Sequence, residues 1–260
     1  MFMLSIFLSI IAAALPVFFW YLIIIRTHRK NMKFFFSIIF IIAGIFSGIF
    51  HLYSQEIIST LQSFFGIFLG FIAVGIIVEY GKNFIIRILG KNYFQDIDDV
   101  VDLAFATALG FTFIENIFIF TELFSATFTY QSPIDITKKI LSQEFFILPI
   151  HLFCSGIFGY YYGLSLFAKE SLQKKPFFST IQIIKGTLIS TITYGLFFFL
   201  KEEDIYIHDI AALFDVYNFP VDERLLPIIS FGFFSAGSLF LFHLLEHSHF
   251  LTDEKKKKKK

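Results

Sequence analysis

The stretch Val100–Ala126, VVDLAFATALGFTFIENIFIFTELFSA, decides the fold. It exceeds the ~20 apolar residues that cross about 30 Å of hydrocarbon as a helix, yet it carries Glu115 and Asn116 at its centre. A helix of that length with an acid and an amide in the middle has two tasks: it must cross a bilayer, and it must turn those two groups away from lipid.

Working outward, the same length criterion marks six more apolar segments: Met3–Ile25, Phe34–Tyr53, Leu61–Tyr80, Leu141–Phe167, Phe177–Leu200 and Leu225–Leu245. The sequence therefore predicts an all-α polytopic transmembrane bundle of about seven spans, forming a single integral membrane domain over residues 1–254. A lysine-rich cytoplasmic tail follows over 255–260. The first segment resembles a signal peptide at Ala12–Ala14, but no basic residue precedes it and the apolar run continues past Trp20. It is expected to stay in the chain as a helix, with Pro16 tolerated because neighbouring helices satisfy the freed carbonyl.

Composition agrees. A 56% hydrophobic content and a mean hydropathy of +0.73 are wrong for a water-exposed surface. Zero net charge gives no basic footprint for nucleic acid. The single cysteine, Cys154, excludes an internal disulfide framework and a cysteine metal cluster within one chain.

Charge is instead sorted by position. With the N-terminus outside, the inner face collects Arg26, Arg29, Lys30, Lys33, Lys82, Arg87, Lys91, Lys169, Lys174, Lys175 and the terminal lysines. The outer face receives Lys138, Lys139, Lys201 and Arg224. Basic residues near helix ends favour the cytoplasm, so the expected topology is N-out and C-in.

A charge inside a span costs at least ~2.5 kcal/mol on insertion scales, so each one needs a reason. Lys185 is placed to snorkel, while Glu122, Glu246 and His247 fall near boundaries. Glu115, Asn116 and His151 lie at mid-depth, and Glu79 has Lys82 three residues on, a spacing that permits a local ion pair. Ala104, Ala108, Thr112 and Glu115 form one helical stripe; His151, Ser155, Gly159 and Gly163 form another. Small residues on a stripe allow close helix contact in lipid, so both stripes are expected to face the bundle.

A desolvated carboxylate is a credible proton acceptor near neutral pH, and an imidazole and an amide nearby can stabilise an oxyanion and hold a carbonyl. Such a set hydrolyses a peptide with no metal or other cofactor. A buried Glu and His pair also suits a proton path or an ion-coupled transporter. Straight helices put Glu79 about 27 Å past Leu61, near the inner boundary, with Glu115 and His151 near mid-membrane. A common site therefore requires the third helix to extend deeper, tilt, or begin later than the hydropathy suggests.

At these residues the chain resembles the PrsW family of membrane-embedded peptidases, and more distantly the prenyl-protein CAAX endopeptidases. The resemblance runs from Leu15 and Pro16 to Tyr194. It rests on Asp99 leading to Leu109, Gly110, Phe111, Glu115 and Asn116, and on Leu148, Pro149 and His151 with Ser155 and Gly159. The family's Glu-Glu-x-x-Lys motif reads here as Val78, Glu79, Tyr80, Gly81 and Lys82, and its His-Gly motif as Tyr194 and Gly195.

The resemblance implies a glutamic-type endopeptidase in a bacterial cytoplasmic membrane that cleaves a membrane-anchored protein such as an anti-sigma factor. Glu79, Glu115 and His151 would be catalytic, with Lys82, Asn116, Ser155 and Tyr194 supporting. The valine and tyrosine substitutions leave a catalytically impaired binding module as the alternative.

Overall fold

The structure, a computed structural model, describes residues 2–27, 34–53, 60, 67–90, 94–127 and 147–202. Among these it is all-helical, with no β-strand. The helices are α1 (Phe2–Thr27), α2 (Phe34–Tyr53), α3 (Ile67–Gly90), α4 (Ile97–Thr127), α5 (Leu148–Phe167), the single turn α6 (Glu170–Gln173) and α7 (Phe178–Glu202). The expected span Leu225–Leu245 and the lysine tail lie outside the described residues. By length and composition, two of the described helices can cross a membrane, Met3–Leu22 within α1 and Ile97–Ser125 within α4; Ile38–Ile49 is a shorter apolar stretch.

The stretch that opened the reading is the hub. Helix α4 packs against α1, α2, α5 and, less extensively, α3, while α7 closes the bundle against α3 and α5. Its N-terminus is capped by its own acids: the Asp99 amide donates to Asp96 Oδ1 at 2.9 Å, and the Gln95 amide donates to Asp99 Oδ2 at 2.8 Å. One orphan N–H of the first turn is thereby satisfied and the residue before the cap is tied to the helix, which gives Asp99 a structural task.

Small residues set the helix spacing as the stripes require. Gly110 of α4 lies against the Ile41 carbonyl of α2, and Gly44 of α2 lies against the Thr107 carbonyl of α4, so a methyl group at either position would overlap backbone. On the α4–α5 face, a Cβ at Gly159 would stand 2.9 Å from the Ala104 Cβ. The residues of both stripes, from Ala104 to Glu115 and from His151 to Gly163, are buried in the bundle. Helix α1 is peripheral and presents Phe7, Leu15, Phe18 and Phe19 outward, an apolar face suited to acyl chains.

Helix α3 departs from the sequence reading. Described over Ile67–Gly90, it continues ten residues past the Tyr80 end expected of the Leu61–Tyr80 segment. Lys82 and Arg87, assigned above to an inner loop, are therefore helical, and Lys82 is completely buried. The hydropathy signal stops at Tyr80 because Glu79, Lys82, Asn83 and Arg87 dilute it, although the backbone continues unbroken. On this helix Glu79 is linked through Lys82 to His151 of α5. Lys185 of α7 and Glu122 of α4 are exposed, in keeping with the snorkelling and boundary positions expected of them.

Candidate active site

Glu79 and Lys82 share the inner face of α3, together with Gly75 one turn earlier and Asn83 and Ile86 later, at helical spacing. Gly75 lets α3 approach α7, since a Cβ there would meet the Thr191 carbonyl at 2.6 Å. The Lys82 Nζ lies 2.6 Å from Glu79 Oε1, and neither side chain has any exposure. The same ammonium reaches across the bundle to His151 Nδ1 on α5, 3.3 Å away. On its other side, His151 Nε2 lies 2.9 Å from Glu115 Oε2 of α4.

Direction follows from donor chemistry. An ammonium can only donate, so His151 Nδ1 accepts. The ring proton of the neutral imidazole then sits on Nε2 and is donated to the Glu115 carboxylate. Four groups from three helices thus form one chain, Glu79–Lys82–His151–Glu115, in which both imidazole nitrogens are engaged. Of the four, only Glu115 has measurable exposure, 8% for the residue.

Aromatic rings wall this chain. The Phe111 and Tyr194 ring centroids lie 5.0 and 5.1 Å from that of His151. The Lys82 Nζ is 5.3 Å from the Phe111 centroid and 5.8 Å from that of Tyr194, within range for cation–π attraction. A fully desolvated ammonium is costly unless every hydrogen finds a partner. Here a carboxylate, an imidazole nitrogen and two ring faces surround it.

The remaining candidates are buried nearby. Asn116 follows Glu115 on α4, and Ser155 stands one turn after His151 on α5, both with no exposure. The Ser155 Oγ, Glu79 Oε2 and both polar atoms of the Asn83 amide have no hydrogen-bond partner among the described residues. Buried polar groups in native folds are paired, so these unpaired donors and acceptors are available to a polar ligand.

Sequence reasoning missed two participants. Asn83, four residues after Glu79, has the helical spacing that would have flagged it. Phe111 was read only as part of a motif, and its ring contacts could not be inferred from spacing. His243, an imidazole within the expected Leu225–Leu245 span, lies outside the described residues.

Residues 30–216 match the family described as PrsW family intramembrane metalloprotease. The chain belongs to this family. The match covers well over half of the 260 residues and includes α3, α4, α5 and α7, which carry every candidate site residue. PrsW-family membership makes this chain a membrane protease, a hydrolase by class. No curated protein and no solved structure matches the chain.

The family description implies a metal ion, and the donor set does not fit one. Among the described residues, no three His, Cys, Asp or Glu side chains are grouped to hold a metal. A cationic ammonium stands between Glu79 and the nearest imidazole nitrogen, the other nitrogen is bound to Glu115, and the Tyr194 ring packs against the imidazole. Catalytic zinc takes three protein ligands and an open position, and a second positive charge beside Lys82 would be strongly repelled.

Proposed function

We propose that the chain is a glutamic-type endopeptidase of the PrsW family that cleaves a membrane-anchored protein within or beside the bilayer. The observation that carries this reading is the continuous Glu79–Lys82–His151–Glu115 chain, drawn from three helices into a lipid-free interior. The reading places the protein in a bacterial cytoplasmic membrane, with about seven spans, N-out and C-in. Anti-sigma factors are the substrate class that family resemblance suggests.

Glu115 acts as general base. With Oε2 held by the His151 N–H, the carboxylate keeps further lone pairs that take a proton from water as the water oxygen bonds to the scissile carbonyl carbon. The resulting oxyanion is met by donors already unpaired in the interior, the Ser155 hydroxyl and the Asn83 amide, with Asn116 beside Glu115 orienting the acid. When the C–N bond breaks, Glu115 returns its proton to the leaving nitrogen, so atoms and charge balance. Glu79 neutralises and aims Lys82, whose ammonium fixes the His151 tautomer; Oε2 of Glu79 remains available to hold the water.

The test is cleavage of a reconstituted single-span membrane substrate by wild type and Glu115→Gln. The glutamine keeps the shape but accepts no proton, and a lost general base typically costs 10²–10⁴-fold in rate. Cleavage at equal rates by two folded proteins would remove the assignment.

A second reading, a binding module with an impaired site, is favoured by one observation: Val78 and Tyr194 stand where the family motif has a carboxylate and an imidazole, and both are buried in apolar surroundings. On that reading wild type holds the membrane partner, does not cut it, and is indistinguishable from Glu115→Gln.

A further inference from the structure

A groove of about 500 Å³ opens between α3, α5 and the start of α7, away from the four-residue chain. Phe84 and Ile88 line one wall, Ile183 and Leu166 the other, and Arg87 lies among them with the Tyr162 and Ser179 hydroxyls. The feature that needs explaining is Arg87. It stands exposed at the rim of a mainly apolar lining, in the last turn of α3, and no carboxylate among the described residues pairs with it.

We infer that this groove is a binding site for one anionic phospholipid, whose phosphate is held by Arg87 and whose acyl chain lies against Phe84, Ile88 and Ile183. Three observations converge on that occupant. Guanidinium is the side chain best matched to a phosphate, which it can hold through two parallel N–H donors. The two nearby hydroxyls supply neutral donors to the same group. The apolar wall continues outward through exposed Phe84 and Ile88, a surface that hydrocarbon covers and a soluble anion does not.

The volume lies within the usual small-ligand range of about 300–1,000 Å³, and as an open groove it can seat part of one lipid molecule.

The site also has a mechanical consequence. Arg87 lies eight residues beyond Glu79 on α3, about 12 Å along the helix. Helix α3 packs well on α7 but touches α5 sparsely. A lipid wedged there therefore fixes the helix that carries Glu79 and Lys82. In the N-out orientation this end of α3 meets the cytoplasmic leaflet, where anionic lipids concentrate.

The inference is tested by native mass spectrometry of the purified full chain in non-ionic detergent, titrated separately with phosphatidylglycerol, phosphatidylcholine and inorganic phosphate. Wild type should retain one phosphatidylglycerol, hold phosphatidylcholine at least tenfold more weakly, and show no competition from phosphate. Arg87→Gln should lose at least tenfold in phosphatidylglycerol affinity, while Lys175→Gln, a change at an exposed lysine outside the groove, should lose none. Ile183→Trp, which fills the groove and leaves the charge in place, should lose the lipid as well, and it serves if Arg87→Gln does not fold. Equal retention of both lipids, full retention by Arg87→Gln or Ile183→Trp, or displacement by phosphate alone would overturn the proposal. None of these readouts depends on proteolysis, so the lipid site and the peptidase reading fail separately.

Discussion

Replacing Lys82 by Met removes the one cation that holds two buried carboxylates and an imidazole in register. Lys82 Nζ is 2.6 Å from Glu79 Oε1 with both side chains fully buried, so the substitution strands Glu79 as an unpaired interior charge. Breaking a buried pair by removing one partner costs about 3–5 kcal/mol. The reverse truncation, Glu79→Gln, strands the ammonium and costs a similar amount. If the residues acted independently, the double variant would lose about 6–10 kcal/mol. Because each single change exposes the penalty of the other's charge, the double variant should lose little more than either single one. The measurement is a double-mutant cycle on unfolding free energy, from denaturing-detergent titrations followed by circular dichroism. Costs that add to within about 0.5 kcal/mol would refute the buried pair, whatever the activity does. All three variants should also cleave poorly, because His151 Nδ1 loses its donor or the donor loses its anchor.

Other outcomes follow from the same geometry. Asn83→Leu replaces an amide that is unpaired at 3% exposure by a side chain of similar size, so unfolding should show a neutral effect or a gain of about 1 kcal/mol while peptidase activity falls; a clear loss of stability would show that the amide has a structural partner. Gly159→Leu drives a side chain into Ala104 and Val101 on the α4–α5 face, and overpacking of this kind costs about 1–3 kcal/mol in the same titration. It should also depress cleavage, because that face carries the 2.9 Å His151–Glu115 contact; unchanged activity would separate helix spacing from site geometry.

The fold was legible wherever the apolar runs were long and uninterrupted. The first, second, fourth and sixth expected segments fall on α1, α2, α4 and α7 to within a few residues at each end. The stripes Ala104–Glu115 and His151–Gly163 were read correctly as bundle-facing, because small residues at helical spacing have one economical use in lipid. The third segment was ended too early for a physical reason: hydropathy discounts charge, and α3 is the helix on which a glutamate, a lysine, an asparagine and an arginine fall within three turns. A polar site inside a membrane protein thus obscures the span that carries it. Spacing suggested the Glu79–Lys82 pair, but no local pattern reveals that the lysine spans to an imidazole 69 positions away in sequence.

The two departures from the family pattern are easier to understand together than apart. Val78 and Tyr194, each 1% exposed, belong to one apolar cluster that also contains Phe111 and Cys154. In that setting an apolar side chain and a ring are mutually consistent, and the ring face also meets Lys82. Restoring one family residue alone should therefore do harm. Val78→Glu adds a further carboxylate beside Lys82, which is already engaged, at a cost of several kcal/mol unless the acid stays protonated. Tyr194→His alone removes aromatic area from around the ammonium. Made together, the acid and the imidazole can satisfy each other, so the double variant should recover most of the stability lost by Val78→Glu. If the chain is an impaired relative, the double variant should also cleave a membrane-anchored substrate faster than wild type. If it already works through Glu115 alone, the rate should stay level. A double variant no more stable than Val78→Glu would mean that the two positions are independent and that the cluster does not couple them.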